Sequence, residues 1–463
     1  MAKRLRKRAE KGPVKPSEVA DTFGRKATFA IGVSSIGFAM AFLGSVVVAR
    51  LLGSAGKGTF SLFLATVSGL TTFVGFGLDK GQMYYASRSP DKLGQYMPNG
   101  ITISLILGGG GALLYFLLGS MTGFRVATLG EFGVAAGILL VPLASILKFQ
   151  KQYLITSHHY VLSRSSMAIN QALPLIAVLV VYPFAEITVD RLIVAVTVGS
   201  LLLLCAVHVL MTRRLHSRIR LSPKLFSWSF ARQSFGFGIR QYSSDVTLFL
   251  AKRLDFFLVA WFLGRSALGV YSVAVALAEV VLRLPRELGV LVFPAFASES
   301  LRRGQAAAML RKMNVIALGF AVILGVASEP LIQFLFGPEF VESIGTFRWL
   351  LPGTLAWSTI EITYSRVAAG GRPGLGVPIF GGAAIIDAGL NAVLLPRIGV
   401  IGAALAASIS YIFAAVCFLH LFCRREGCTW TEALVVRKAD LQAIGRMLVS
   451  FTRGPSGAAV RGK

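Results

Sequence analysis

Twelve apolar segments constrain this chain more than any other feature. They lie near residues 27–49, 58–78, 97–119, 132–150, 162–182, 192–211, 236–263, 268–290, 313–336, 346–368, 374–395 and 399–422. Most run to about 20 residues, the length a helix needs to cross a hydrocarbon core of roughly 30 Å. A backbone in that medium must satisfy its own polar groups, so the pattern predicts an all-α polytopic membrane protein with about twelve transmembrane helices. The connections alternate in charge. Only 6 of the 47 Lys and Arg fall in the odd-numbered connections, whereas the two tails and the even-numbered connections are dense in them. Lys and Arg stay on the cytoplasmic side. Both termini are therefore expected in the cytoplasm, and the chain in the cytoplasmic (inner) membrane.

The same pattern accounts for composition. A formal charge of +26 in a soluble chain would suggest nucleic acid. Here the charge sits where the positive-inside rule places it, and no nucleic-acid partner is expected. Residues 1–26 are too polar for a cleavable signal, so the first span acts as its own insertion signal. That basic tail suits contact with anionic membrane lipids. The four cysteines show no paired CxxC or HxxxH spacing, so neither a zinc site nor another cofactor is expected. Gly53-Ser-Ala-Gly56-Lys57-Gly58-Thr59 superficially resembles a phosphate loop, but it falls in an external turn, away from ATP. With no catalytic triad or carboxylate pair in a soluble site, the chain is not expected to be an enzyme.

The sequence repeats itself at half length. Val48-Ala49-Arg-Leu-Leu52-Gly53, followed by Gly58-Thr-Phe60-Ser61, returns as Val259-Ala260-Trp-Phe-Leu263-Gly264, followed by Gly269-Val-Tyr271-Ser272, at a constant offset of 211 residues. Each copy bridges the first and second spans of a six-span half. Gly53 and Gly264 are expected to cap one helix, and Gly58 and Gly269 to open the next. Parallel repeats of this kind are a transporter architecture. The expected organisation is a basic cytoplasmic tail (1–26), a six-helix bundle (27–211), a basic cytoplasmic linker (212–235), a second, pseudo-symmetric six-helix bundle (236–422) and a basic cytoplasmic tail (423–463). Within that last tail an amphipathic surface helix is expected near 429–451, with Trp430 and Leu434 facing lipid. Gly108 to Gly111 predict close helix approach in the third span.

At these motifs the chain resembles the oligosaccharide flippases of polysaccharide biosynthesis, in the multidrug/oligosaccharidyl-lipid/polysaccharide exporter superfamily. The resemblance is carried by Ala49-Arg-Leu-Leu-Gly53 with Gly58-Thr-Phe60-Ser61, and by Lys252-Arg-Leu-Asp255 with its own Gly264 and Gly269 turn. Pro294-Ala-Phe, Leu335-Phe-Gly337-Pro-Glu339-Phe340, Ala368-Ala-Gly-Gly-Arg372 and Asn391 with Gly399-Val-Ile-Gly-Ala-Ala-Leu405 extend it over roughly residues 25–425. It implies a V-shaped fold of two bundles. It also implies movement of a polyprenyl-diphosphate-linked glycan from the inner to the outer leaflet, and Asp255 matches the family's usual acid at this place.

Charges inside spans cost roughly 2.5–3.5 kcal/mol on insertion scales, so they ask for a reason. The candidates for substrate contact are Arg240, Lys252, Arg253, Arg283, Arg286 and Arg348. Against them stand Asp245, Asp255, Glu279, Glu287, Glu361 and Asp387, as coupling or ion-pair groups. Arginine forks match phosphate oxygens, which predicts a cationic cavity between the bundles for the diphosphate. Six bases meet six acids, so phosphate binding requires some acids protonated or some bases unpaired. Glu279, Arg283 and Glu287 are spaced to stack on one helix face. Asp255 is expected either to couple an ion or to pair with Lys252, three residues away. With no ATP site, energy would come from a proton or sodium gradient or from membrane potential. The alternatives are a peptidoglycan-precursor flippase, a drug/cation antiporter of the same superfamily, whose cavity would be acid-dominated, and a membrane-embedded glycosyltransferase or polymerase. The last would need a large external loop with catalytic acids, and every odd-numbered connection is short.

Overall fold

The computed structural model describes residues 16–88, 93–121, 131–157, 159–215, 227–297, 304–369 and 373–442. Among the described residues all regular structure is helical. In chain order the helices are α1 (Pro16–Phe73), α2 (Leu78–Arg88), α3 (Leu93–Met121), α4 (Glu131–Thr156), α5 (Tyr160–Val181), α6 (Val189–Leu215), α7 (Trp228–Ala297), α8 (Gln305–Leu335), α9 (Glu342–Ala369), α10 (Gly376–Ile398), α11 (Val400–Glu426) and the short α12 (Trp430–Leu434). Two of them are bent. α1 breaks at Gly53 (φ 65°, ψ −174°) and α7 at Gly264 (φ 84°, ψ −173°). A side chain is strained in that conformation, and glycine is not. The break splits each into two limbs, so twelve long limbs result, six on each side of residues 216–226.

Among the described residues eight stretches are long and apolar enough to cross a membrane, and the first of them, Gly32–Phe73, runs through the Gly53 bend and takes in parts of both limbs of α1. The limbs of α7 and helix α9 fall outside that set. They carry most of the in-span charges, which lower their hydropathy. The molecule is a multi-pass membrane protein.

Within residues 16–215, α1 packs on α5, α3 on α4, and α4 on α6; within 228–442, α9 packs on α7, α8 and α11, and α10 on α7 and α11. Glycine sets several of these distances, as expected where helices meet without a hydrophobic driving force. A Cβ on Gly37 would lie 2.6 Å from Ala168, and one on Gly353 would lie 2.5 Å from the Ser408 Cα. Of the four consecutive glycines in α3, Gly108 and Gly111 meet Pro142 and Val141 of α4 closely, whereas Gly109 and Gly110 face open space. The expected close approach therefore uses two of the four, the pair one turn apart on the same face.

The two halves meet along α1, α2 and α7. At the bends the contact is reciprocal. A Cβ on Gly58 would fall 1.8 Å from the Arg265 carbonyl oxygen, and one on Gly269 would fall 2.0 Å from the Ser54 carbonyl oxygen. Each glycine and each carbonyl is 211 residues from its counterpart. The backbones cross here as across a two-fold axis, where contact i to j implies j to i. An apolar cluster drawn from both halves surrounds the crossing, including Ala49, Leu62, Val259, Leu268, Tyr271, Phe336 and Phe340.

The C-terminal segment differs from expectation. α12 spans five residues rather than a long surface helix, with Thr429 and Glu432 forming a reciprocal cap. Trp430 and Leu434 are exposed as expected. The segment is held by polar bonds instead of lipid contact alone: buried Arg311 of α8 donates from Nε to Asp440 at 2.7 Å and from Nη1 to the Glu432 carbonyl. Residues 443–451 of the expected helix lie outside the described residues.

Candidate functional site

The in-span charges converge on a recess of about 480 Å³, counting its open mouth, inside the C-terminal half. Limb 228–263 supplies Lys252, Arg253 and Asp255. Limb 265–297 supplies Tyr271, Glu279 and Arg286, α9 supplies Trp357, and α11 supplies Tyr411. The expectation was a cavity between the bundles. The walls instead come from residues 252–411 alone, because α7 turns its charged face onto α9 and α11.

The recess is held by exchanged ion pairs. Arg253 Nη2 donates to Glu279 Oε1 at 2.9 Å. Glu361 collects three donors: Trp357 Nε1 at 3.0 Å, Arg286 Nε at 3.4 Å and Lys252 Nζ at 3.9 Å. Lys252 also stands 4.3 Å over the Trp357 ring, and Arg253 stands 4.9 Å from the Phe256 ring. The bases Lys252, Arg253 and Arg286 thus balance Asp255, Glu279 and Glu361. Each side chain in the Glu361 and Glu279 pairs keeps 20% to 34% of its surface exposed. Such half-wet pairs exchange partners more cheaply than dry ones.

Asp255 does not pair with Lys252. It is 4% exposed, accepts from the Tyr271 hydroxyl, and accepts from the neighbouring Phe256 N–H at 2.8 Å. Lys252 reaches across to α9 instead, where the Glu361 carboxylate and the Trp357 ring receive its ammonium. Behind Asp255 lie Asp387 and Asn391 of α10. The charges of the two acids act on each other, and Oδ1 of both Asp387 and Asn391 is buried without a hydrogen-bond partner. Asn391 Nδ2 donates to the Asp387 carbonyl at 2.9 Å.

The stacked trio on the second limb of α7 separates. Glu279 turns to Arg253, and Arg283 lies 2.9 Å from Glu287. Nε and Nη2 of Arg283 are buried but make no aligned hydrogen bond, and its guanidinium sits 4.9 Å from the Phe38 ring of α1. Arg283 thus leaves the recess and points at the N-terminal half. There its charge meets that of Arg164 on α5, whose Nη1 donates to Ser34 Oγ at 3.5 Å. Arg164 was not singled out from sequence, although a lone in-span arginine in an otherwise apolar segment was the available signal.

The remaining candidates lie elsewhere. Arg348 is exposed and donates to the Gly325 carbonyl at 3.3 Å and to Ser328 Oγ at 3.1 Å, bracing α9 against α8. Asp245 is half-buried and outside the recess lining. The Arg240 side chain lies outside the described residues.

A second set of polar bonds joins the halves at the bends. Arg50 donates from Nε to the Leu335 carbonyl at 2.7 Å and from Nη2 to the Phe334 carbonyl, capping the C-terminus of α8. Glu339 Oε2 accepts from the Ser54 N–H at 3.0 Å at the start of the second limb of α1. Ser54 and Ser266 hydroxyls lie 2.7 Å apart. Two motifs remote in sequence, Ala49–Gly53 and Leu335–Phe340, interlock here.

This bent-limb architecture is that of a family of membrane transporters. The fold matches an inward-facing multidrug-resistance MATE transporter of the MOP superfamily with a TM-score of 0.67, at 12% identity over 87% of this chain and 98% of that one. It also matches a MOP-superfamily transporter from Pyrococcus furiosus, described as having a binding pocket of reverse polarity, with a TM-score of 0.57 and 14% identity over 87% and 95%. The chain itself belongs to the polysaccharide biosynthesis protein family, whose model matches residues 47–345. It is 23% identical over 406 residues to a probable low-salt glycan biosynthesis flippase, Agl15, of Haloferax volcanii, covering 83% of this chain and 80% of that one. These likenesses point to a transporter rather than an enzyme.

Proposed function

We propose that the protein flips a polyprenyl-diphosphate-linked oligosaccharide from the inner to the outer leaflet of the cytoplasmic membrane, with both termini in the cytoplasm. The observation that carries this reading is the set of half-wet ion pairs in the C-terminal recess of a polysaccharide-biosynthesis chain. A diphosphate brings about two negative charges, and it competes for Lys252, Arg253 and Arg286 against Glu361 and Glu279. Arg283 and Arg164 extend the basic surface toward the N-terminal half. The two six-helix halves, 27–211 and 236–422, rock against each other so that the end at the Gly53 and Gly264 bends closes and opens to alternate access. The lipid tail stays in the bilayer.

The buried acids supply a place for coupling. Asp255 and Asp387 share the same dry region with Asn391, Tyr271 and Tyr411, and such a pair takes a counter-charge, a proton or a sodium ion. The three bases of the recess disfavour a drug/cation antiporter. A peptidoglycan precursor would use the same phosphate chemistry with another sugar.

Arg286 provides the test. Arg286→Lys keeps the charge and loses the fork; Arg286→Ala loses both. Transport of the lipid-linked glycan in reconstituted vesicles is expected to fall at least tenfold with Ala and partly with Lys, at normal protein abundance. If abundance collapses with transport, or neither changes, Arg286 is structural or idle and the site is wrong.

A further inference from the structure

Two of the four cysteines meet at the end of the last span. α11 closes on Gly427, which takes the left-handed conformation (φ 65°, ψ 36°) and donates its N–H to the Cys423 carbonyl. The Cys428 N–H donates to the same carbonyl at 3.1 Å. A helix end closed this way brings the residue after the glycine against the residue whose carbonyl is capped. Here both are cysteine. Their thiols lie within hydrogen-bond reach of each other, and both are free. The backbone bond also holds the two Cα atoms within about 7 Å, the reach of a disulfide.

Position gives the two thiols unequal roles. Cys428 is half-buried and Cys423 is 5% exposed, so an oxidant meets Cys428 first. Cys423 packs with Ala306 and Leu310 of α8, Ile362 of α9 and Ala433 of α12. Directly after Cys428, Thr429 and Glu432 form the reciprocal cap of α12, and Asp440 then reaches buried Arg311. A covalent bond across Gly427 would fasten the start of this segment to a side chain already fixed among neighbouring helices.

We propose that Cys423 and Cys428 are a modification site, closed to a reversible disulfide by a low-molecular-weight disulfide such as glutathione disulfide, and that closure pins residues 428–442 against the bundle. The Cys428 thiolate attacks one sulfur of the oxidant, and one small thiolate leaves. The Cys423 thiolate then attacks the Cys428 sulfur of the mixed disulfide, and the second small thiolate leaves. Two cysteines are oxidised, the small disulfide is reduced to two thiols, and the two cysteine protons end on those thiols. The closed loop runs only from Cys423 to Cys428. A loop that short gains little from closure, so the same pool of small thiols reopens it. In the cytoplasm, the side proposed for this end, disulfides are transient and sense redox state. The pairing itself does not rest on the transport reading.

Full-length protein in lipid nanodiscs would be equilibrated with glutathione and glutathione disulfide at varied ratio, and the bond read by differential alkylation and mass spectrometry. A synthetic peptide of residues 418–434 serves as the unfolded reference. The Cys423–Cys428 bond is expected to form with an equilibrium constant about tenfold or more above that of the peptide. Amide hydrogen exchange across residues 428–442 is expected to slow about threefold or more on oxidation. In Cys428→Ser, which removes one partner at a half-buried position, oxidation is expected to leave exchange unchanged. A pair that stays reduced, or closes no better than in the peptide, overturns the site. Exchange that does not slow, or slows equally in C428S, overturns the pinning. Either failure leaves the proposed transport untouched, and loss of transport activity leaves this site standing.

Discussion

At Glu361 three donors meet on one carboxylate, and two of them are the bases Lys252 and Arg286. Under the proposed function, a phosphate oxygen would displace this carboxylate from the two bases. Glu361→Gln keeps an acceptor for Trp357 but removes the charge, so Lys252 and Arg286 lose their counter-ion. A hydrogen bond to a charged group contributes roughly 1.5–3 kcal/mol, and about 1.4 kcal/mol is tenfold in affinity. Pyrophosphate is therefore expected to bind E361Q about tenfold more tightly, by isothermal titration on purified protein. Unchanged or weaker binding by a folded variant would mean that these bases are not held for phosphate. Sequence spacing reached part of this site. The Arg283–Glu287 pair follows from four-residue spacing on one helix. The partners of Lys252, Asp255 and Glu279 do not, because each lies on another limb or is a tyrosine whose hydroxyl carries no charge signal.

Among the elements, the bends at Gly53 and Gly264 were the most legible, because a positive φ selects glycine and the local motif recurs whole. The interlock around them was not, since Arg50 and Glu339 find their partners more than 280 residues away. Arg50 meets the negative end of α8, and Glu339 meets the positive start of a limb of α1, so both contacts agree with helix polarity. They close the molecule at the end bearing the odd-numbered connections. In the proposed cycle that end opens and the Ser54–Ser266 contact breaks. With Cys205, Cys417, Cys423 and Cys428 replaced by serine, the Ser54→Cys, Ser266→Cys pair is expected to be joined by a short thiol cross-linker. Transport is expected to stop on joining and to return when a cleavable linker is cut. Transport that persists at full rate in the joined protein would show that this end does not separate during the cycle.

At the scale of the whole molecule, the repeat and the charge alternation make different claims that one axis must satisfy. A half with six spans starts and ends on the same side, so both bends fall on one face and both termini on the other. The reciprocal approach of Gly58 and Gly269 puts the bends against each other, which agrees with the first claim. It says nothing about which face looks outward; that depends on Lys and Arg, whose excess in the tails and even-numbered connections is expected to place them in the cytoplasm. The basic tail that docks on α8 through Arg311 and Asp440 then lies inside, and the Gly53 and Gly264 bends lie outside. Ser266 is exposed at the second bend. In the background lacking native cysteines, a cysteine at Ser266 is expected to react with a membrane-impermeant maleimide on intact cells, and one at Ser217, in the basic linker, only after the membrane is permeabilised. The reverse pattern would invert the molecule and overturn the proposed direction of transport from the inner leaflet. Labelling at both positions on intact cells would break the even count of spans, and with it the parallel relation of the two halves.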